Sequence, residues 1–227
     1  MSASDFIRIS GQAPEAERVA EVVAHLRGGG LLAYPTETVY GFGCALRPEP
    51  LARLFRLKRS DASKPLLVLI SSRDDVATLG WTPGAEALAR AFWPGPLTLV
   101  LPDPTERFPA EVRNTHGGVA VRASPHPVVR AILEALEEPI TSTSANVPGE
   151  APARSAAGAL EAAVRLLRET ELDRALRVVD GGTLAPSESS TLVEFSGQSA
   201  CLRRRGVIPL DALQAVHPEI DDSEVRG

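Results

Sequence analysis

Cysteine, aromatic residues and long apolar runs are all scarce in this chain of 227 residues. Its two cysteines, Cys44 and Cys201, lie far apart, which excludes a disulfide framework and a Cys-x-x-Cys metal site. Aromatic residues make up 4% of the sequence, so a wide base-stacking platform for single-stranded nucleic acid is not supported. No apolar run reaches the roughly eighteen residues of a membrane span, and the N-terminus lacks the apolar centre of a signal peptide. We therefore expect a soluble, cytoplasmic protein that does not contact membranes.

The charge balance and the motifs that are missing exclude further classes. The net charge of −5 argues against broad non-specific binding of nucleic acid, although a local basic groove could still give weak RNA binding. The four histidines are scattered without metal-ligand spacing. The sequence contains no Gly-x-x-x-x-Gly-Lys-Ser/Thr loop, no Gly-x-Gly-x-x-Gly and no Gly-x-Ser-x-Gly. Any nucleotide site must therefore be built in another way.

Helical and strand patterns alternate along most of the chain. Val19, Val22, Val23 and Leu26 recur at helical spacing, and three glycines follow them. Further helices are predicted near residues 51–58, after Ser72, from Pro83, over 127–137 and around 160–167. Short apolar runs predict strands over residues 31–34, 66–70, 97–101, 119–122, 139–144, 176–179, 191–195 and 200–203. This alternation predicts an α/β fold, with helices covering both faces of a mixed sheet.

The most informative stretch is Tyr34-Pro35-Thr36-Glu37-Thr38-Val39-Tyr40-Gly41-Phe42-Gly43. It follows an apolar run and is predicted to form one short turn at the end of a buried strand. Such a turn offers hydroxyl groups, backbone N–H groups and close backbone approach to a small polar ligand. The same residue types also form ordinary strand-exit loops, so this stretch alone leaves both interpretations open.

Two more stretches combine charge or hydroxyl groups with strand ends. The segment from Lys58 to Leu66 holds three cations, which either complement a helix dipole or bind an anion. Residues 141–144 are four consecutive hydroxyl residues, followed by Ala145, Asn146 and a Pro-Gly turn. So many polar groups at a strand end need partners, and phosphate, ribose or an amino acid would supply them.

A final stretch, Ser187 to Glu194, is followed by three arginines at residues 203–205 and then Gly206. The arginines could form a solvated strand edge or supply phosphate ligands.

Taken in order, these stretches resemble the YrdC-like family, whose best-known members are L-threonylcarbamoyladenylate synthases, and among its members the chain resembles the short, single-domain type. The resemblance covers about residues 12 to 210, nearly the whole chain. The matching pieces are Pro35–Gly41, Lys58–Leu66, Pro94-Gly95-Pro96-Leu97-Thr98, Val121-Arg122 with His126-Pro127, Ser144-Ala145-Asn146 with Gly149, Ser190-Thr191, and Arg204-x-Gly206.

The resemblance implies a twisted mixed α/β sheet around a deep concave ligand groove. It also implies a nucleotidyltransferase reaction, in which L-threonine, bicarbonate and ATP give threonylcarbamoyl-AMP and pyrophosphate. The product would feed N6-threonylcarbamoyladenosine formation at position 37 of tRNA through a separate transferase machinery. Mg²⁺ would arrive with ATP as substrate, and neither a dedicated metal site nor a permanent cofactor is expected.

Similarity to the family also assigns residue roles. The implied catalytic residues are Lys58, Ser144 and Asn146. The implied ATP-binding residues are Lys58, Arg59, Ser144, Asn146 and Arg204. The implied threonine-binding residues are Thr36, Lys64, Arg122, Ser142 and Ser190, with Arg122 a natural clamp for the amino-acid carboxylate.

Three positions depart from the family pattern, and they bear on two alternatives. The usual Lys-x-Arg spacing is replaced by adjacent Lys58 and Arg59, with Ser60 where the arginine is usual, and Pro148 and Pro152 replace polar residues. The altered block leaves open a paralogue that acts as an RNA-binding module without synthase activity. The other alternative is a domain that uses carbamoyl phosphate in place of bicarbonate.

The domain prediction is a lead-in over residues 1–11, a YrdC-like domain over 12–210 and a C-terminal tail over 211–227. The tail is acidic and weakly patterned, so we expect it to be frayed. Composition indicates residues 102–118 and 147–154 as candidates for a lid.

Overall fold

A computed structural model describes residues 6–9, 13–58, 66–166 and 175–223 of the chain, with the backbone alone at residue 6. The helices are α1 (Ala16–Arg27), α2 (Pro48–Lys58), α3 (Pro83–Phe92), α4 (Pro127–Leu136), α5 (Ala156–Leu166) and α6 (Leu210–Val216). The strands are β1 (Phe6–Arg8), β2 (Leu31–Pro35), β3 (Tyr40–Gly43), β4 (Leu67–Ile70), β5 (Leu97–Pro102), β6 (Gly118–Ala123), β7 (Ile140–Ser144), β8 (Leu176–Asp180), β9 (Thr191–Ser196), β10 (Ser199–Arg204) and β11 (Ile220–Asp221).

The strands form one sheet in the order β1-β8-β2-β3-β7-β4-β6-β5-β9-β10-β11. The sheet contains parallel pairs, such as β4 with β6 and β5 with β9, and antiparallel pairs, such as β3 with β7 and β5 with β6. The chain therefore has the mixed α/β architecture that the sequence predicted, and that prediction is confirmed.

Two apolar cores lie on opposite faces of the sheet. One contains Leu54, Leu88 and Leu213, contributed by α2, α3 and α6, together with residues of α5. The other contains Val22 and Ile132, contributed by α1 and α4. Because successive strand residues point to opposite faces, neighbouring residues of one strand enter different environments. This alternation decides which side chains can face a ligand.

Side chains and prolines fix where several helices begin. Thr82 caps α3 by accepting a hydrogen bond from Ala85 N at 3.1 Å, and Pro83 occupies the first turn. Ser72 caps the next element along from β4, as predicted, through a reciprocal capping box. That element is a single 3₁₀ turn (Arg73–Val76) rather than the α-helix expected there.

Two expectations from the sequence are wrong. Residues 34–43 are not one turn, since β3 begins at Tyr40 and pairs with β2 across a tight turn at residues 36–39. The glycines of β3 allow close strand approach, because a Cβ at Gly43 would lie 1.9 Å from Thr141 O. The predicted tail is not frayed over its described part, because Leu213 and Ile220 enter the first core from α6 and β11.

The sheet thus includes residues on both sides of the predicted 12–210 domain, through β1 and β11. The division into lead-in, domain and tail stays a prediction. Among the described residues, no helix is both long enough and apolar enough to cross a bilayer.

Candidate functional site

A polar cavity of about 450 Å³ lies over one face of the sheet. On β5, β6 and β9, alternate residues face the cavity. The residues between them, such as Leu99, Val121 and Val193, enter the first core. On the same face, the core of α1 and α4 covers Leu32 of β2. The strand residues that line the cavity are Leu67, Thr98, Val100, Ala120, Arg122, Ser142, Thr143, Ser144 and Leu192.

The cavity brings together most of the residues that family similarity implied for threonine. Thr36, Arg122, Ser142 and Ser190 all line it, although 154 positions of sequence separate the first from the last (190 − 36 = 154). Ser144 and Arg204 line it as well. Lys64 and Arg59 lie outside the described residues, as does Ser60.

The turn between β2 and β3 places Thr36 at the cavity. Thr36 Oγ1 donates to Val39 O at 2.7 Å and lies 3.3 Å from the backbone nitrogens of Thr38 and Val39. These contacts close the turn on itself, as Ser and Thr hydroxyls do in tight turns. The residues that close the turn therefore also line the cavity. This stretch is both a strand-exit turn and part of a ligand-facing wall.

Arg122 is a buried cation whose donors remain available. Its side chain is 5% exposed, and its Nε lies 3.4 Å from Glu37 Oε1, within reach of charge attraction. Neither of these two buried atoms has a hydrogen-bond partner, whereas Glu37 Oε2 accepts from Ser124 Oγ at 2.5 Å. A buried guanidinium at a cavity wall is suited to bind a carboxylate in bidentate geometry.

Arg204 approaches the same cavity from β10. Its Nη2 donates to Ser190 O at 2.9 Å and to Ser190 Oγ at 3.0 Å, and Ser190 Oγ lies 2.8 Å from Thr98 Oγ1. Burial of the guanidinium, and then the nearby charge of Arg122, lower the pKa of Arg204. Much of the rest of the side chain is exposed, and the group stays cationic at neutral pH. The two arginines make this part of the cavity electropositive.

Gly206 permits this approach. A Cβ at Gly206 would lie 2.1 Å from Ser189 O and 2.7 Å from Thr191 N, so any larger residue would push the two segments apart. The Arg204-x-Gly206 spacing thus has a mechanical reason, because the glycine lets the chain pass against the backbone whose carbonyl Arg204 binds.

Lys58, Ser144 and Asn146 form a closed group, here called the lysine cluster. Lys58 Nζ donates to Ser144 O at 2.9 Å, Asn146 O at 2.8 Å and Asn146 Oδ1 at 3.0 Å. Ser144 Oγ donates to Asn146 Oδ1 at 2.6 Å. An ammonium group has three hydrogens, and here each has a protein acceptor. Of the three residues, Ser144 lines the cavity, while Lys58 and Asn146 support it from behind.

Burial also changes the acidity of Lys58. The residue is 7% exposed, and desolvation lowers its pKa from 10.5 to about 8. The three oxygen acceptors favour the ammonium form and oppose this shift. Lys58 is therefore charged at neutral pH and loses its proton at a lower pH than a solvated lysine.

The segment over residues 147–154 is attached to the lysine cluster. Asn146 Nδ2 donates to Val147 O at 3.0 Å and to Glu150 O at 2.8 Å, and Pro152 lines the cavity. The other candidate lid, residues 102–118, is anchored by buried Phe108 and Val112. The position of the first segment beside the cavity agrees with a covering role, whereas the second is held in the core.

Sequence reasoning missed two buried hydroxyl residues and one carboxylate at this site. Thr38 and Thr98 line the cavity, and Glu37 faces Arg122. Glu37 and Thr38 belong to the stretch over residues 34–43, and Thr98 ends the motif that begins at Pro94. Their position in these motifs is the sequence signal that could have identified them. Within the described residues, no group of three or more His, Cys, Asp or Glu side chains is placed to hold a metal ion.

Comparisons with known proteins identify relatives of this chain. The model of the Sua5/YciO/YrdC family, described as "Telomere recombination", matches residues 24–206. A protein of Chromohalobacter salexigens named threonylcarbamoyl-AMP synthase is 45% identical over 147 residues, which cover 63% of this chain and 78% of that protein. A Xanthomonas campestris protein of the same name is 44% identical over 151 residues, covering 63% of this chain and 79% of its own length.

Solved structures extend the similarity to the fold. The crystal structure of P. abyssi Sua5 complexed with L-threonine matches with a TM-score of 0.83 and 32% identity. The match covers 95% of this chain but 62% of that one, so this chain spans about three fifths of the length of Sua5. E. coli YciO, at 24% identity and a TM-score of 0.79, matches over its full length and shares the fold.

Proposed function

The chain belongs to the Sua5/YciO/YrdC family, and from that membership we propose that it is an L-threonylcarbamoyladenylate synthase. In this reaction L-threonine, bicarbonate and ATP give threonylcarbamoyl-AMP, pyrophosphate and water. The observation that carries the proposal is the convergence of Thr36, Ser142 and Ser190 with the buried cation Arg122 on one cavity.

The arginine end of the cavity is suited to hold the amino acid. Arg122 binds the threonine carboxylate with two parallel N–H···O bonds, which the planar guanidinium and its burial at the cavity wall favour. Ser142 and the Thr98–Ser190 hydroxyl pair offer hydrogen bonds to the polar groups of the amino acid. The family resemblance assigns a threonine-binding role to Lys64 as well.

The nucleotide is proposed to lie between Arg204 and the lysine cluster, with Arg59 contributing as the resemblance implies. The carbamate formed from threonine and bicarbonate supplies the nucleophilic oxygen. Its bond to the α-phosphorus of ATP forms as the bond from that phosphorus to the pyrophosphate oxygen breaks. The protein needs no nucleophile of its own, so its contribution is positioning and charge stabilisation.

Lys58 contributes to this step in two ways. Its three hydrogen bonds fix Ser144 and Asn146, and its positive charge stabilises the negative charge that develops on the phosphates. Direct contact with a phosphate would require Lys58 to exchange one protein acceptor for a phosphate oxygen. Catalytic roles for Lys58, Ser144 and Asn146 are thus part of the proposal.

Several finer statements belong to the same proposal. Mg²⁺ enters bound to the ATP phosphates rather than at a site of its own. The product passes to the tRNA threonylcarbamoyl transferase machinery, in the cytoplasm. Weak RNA binding would accompany that transfer.

Pyrophosphate release from purified protein tests the proposal. We expect release with ATP, Mg²⁺, threonine and bicarbonate together, and none when threonine or bicarbonate is omitted. Carbamoyl phosphate in place of bicarbonate should not support the reaction.

Each other outcome of this assay has a definite meaning. Release that follows carbamoyl phosphate would favour the carbamoyl-transferring alternative. A folded protein that binds RNA without releasing pyrophosphate would favour the non-synthase paralogue and overturn the proposal.

A further inference from the structure

A second cavity of about 390 Å³ lies on the other side of strand β6 from the polar one. Arg122 of β6 faces the polar cavity, and the next residue, Ala123, lines this one. Both tryptophans of the chain, Trp81 and Trp93, form its walls, so it is here called the tryptophan cavity. Concave sites of this size that combine aromatic walls with polar and charged groups are typical of small-molecule binding.

The two indole rings offer only apolar surface to an occupant. Trp81 Nε1 donates to Val76 O at 3.0 Å, and Trp93 Nε1 donates to Leu97 O at 2.7 Å. The ring centroids are 6.0 Å apart with an interplanar angle of 89°. With both N–H groups satisfied, the rings favour a flat aromatic group by edge and face contacts.

The charged residues that line the tryptophan cavity have a net charge of one positive unit, since they are two arginines and one glutamate. Arg73 lies 5.1 Å from the Trp81 ring centroid and pairs with Glu86 at 3.0 Å, so these two charges largely cancel. Arg90 also lines the cavity, is exposed, and forms no ion pair with any acidic residue in the described part of the chain. One unmatched cation suits a ligand with a single negative charge.

We propose that the tryptophan cavity binds a planar aromatic ring carrying one carboxylate, with the ring against Trp81 and Trp93 and the carboxylate beside Arg90. This site is separate from the proposed synthase site, because the sheet lies between them. The inference does not depend on which reaction the polar cavity performs.

Quenching of tryptophan emission by 4-nitrobenzoate tests this proposal, since both tryptophans report from the cavity itself. We expect saturable quenching that persists when threonine is present in excess. Arg90→Gln should weaken 4-nitrobenzoate binding about threefold, as expected for one exposed ion pair, and leave the neutral 4-nitrobenzamide unaffected. Ala89→Leu, which fills part of the cavity, should weaken both probes.

Arg56→Gln is the matched control, since Arg56 is an exposed arginine on α2, and its quenching curve should match that of the unsubstituted protein. Thermal unfolding of each variant establishes that it is folded. Quenching that rises linearly without saturation would overturn the proposal. So would loss of quenching on adding threonine, or equal binding of 4-nitrobenzoate by Arg90→Gln.

Discussion

The two charged ends of the polar cavity satisfy their cations in opposite ways. At one end, Lys58 gives all three ammonium hydrogens to oxygens of Ser144 and Asn146. At the other, Arg122 is equally buried, yet its Nε and the facing Glu37 Oε1 have no hydrogen-bond partner. Both cations carry a desolvation cost, which three hydrogen bonds offset at Lys58 and the charge of Glu37, without a hydrogen bond, offsets at Arg122.

This difference separates a supporting role from a receiving one. The lysine cluster is complete without a ligand, so it fixes the chain between β7 and the segment over residues 147–154. At the other end Arg122 Nε has no hydrogen-bond partner, and a ligand carboxylate would give the guanidinium acceptors. We therefore expect substitutions at the first end to reduce turnover, and substitutions at the second to reduce affinity for the amino acid.

Replacing Lys58 with methionine should have the largest effect. The variant keeps the length of the side chain but leaves three oxygen acceptors without their donor, so Ser144 and Asn146 lose their fixed positions. We expect turnover in the pyrophosphate assay to fall about 100- to 1,000-fold, with calorimetric threonine binding unchanged. Arg56→Met, on the same helix but exposed, is the control and should keep full turnover. A parallel loss of threonine binding would show that the two ends do not act separately.

Arg122→Lys should have the next largest effect. Lysine keeps the charge opposite Glu37 but cannot make two parallel hydrogen bonds to a carboxylate. We expect the KM for threonine to rise about thirtyfold, which corresponds to about 2 kcal/mol, while the KM for ATP changes little. Steady-state kinetics with each substrate varied in turn would measure this split. A rise confined to the KM for ATP would contradict the proposed position of the amino acid.

The pH dependence of turnover should be intermediate in size. Lys58 loses its proton as the pH rises through about 8, so turnover should fall above that pH, by about tenfold per pH unit. Lys58→Arg, which stays charged, should lack this decrease even if its turnover is lower. An unchanged pH profile in Lys58→Arg would mean that another group titrates.

The same pKa shift makes a prediction about stability. Because the pKa of Lys58 is about 8 in the folded protein and has its ordinary value of 10.5 in the unfolded chain, the unfolded chain binds more protons between those values. The unfolding free energy relative to Lys58→Met should therefore increase as the pH rises from about 8 to 10.5. Denaturant titrations of both proteins across this range would measure the difference.

Glu37→Gln should have the smallest effect. The amide keeps an acceptor for Ser124 but removes the charge that attracts Arg122, so the guanidinium is oriented less firmly. We expect the KM for threonine to rise about threefold with turnover unchanged. Glu138→Gln removes an exposed partner of Arg47 and is the matched control. A large fall in turnover would instead give Glu37 a direct part in the reaction.

The sequence was sufficient for most of the elements and for part of the cavity lining. Apolar periodicity located most of the helices and strands, but not β1, β11 or α6, and the ordered motifs include Thr36, Arg122, Ser142, Ser144, Ser190 and Arg204, which line the cavity. Polar residues at strand ends are recognisable because a buried strand that turns suddenly polar needs partners for those groups. Strand β3 was missed because its two glycines are typical of turns, whereas here they serve close strand packing.

The partners of the charged groups could not be predicted. The Ser124–Glu37 hydrogen bond spans 87 residues, and Lys58 meets Asn146 across 88. Such contacts depend on the strand order, which local patterns do not encode. For the same reason, sequence alone could not show that Lys58 is saturated while Arg122 is open, although both are single cations next to polar motifs.

Strand β11 is short, and it leaves part of the sheet edge at β10 uncovered. It pairs only with Ala200 and Cys201, so the rest of β10 has no strand beyond it in the described part of the chain. Unpaired strand edges invite pairing with another molecule and hence aggregation. Arg205 extends from this edge to Asp222 at 2.8 Å, and Arg204 bends back to Ser190. We expect the exposed charge of Arg205 at this edge to disfavour edge-to-edge pairing with a second molecule.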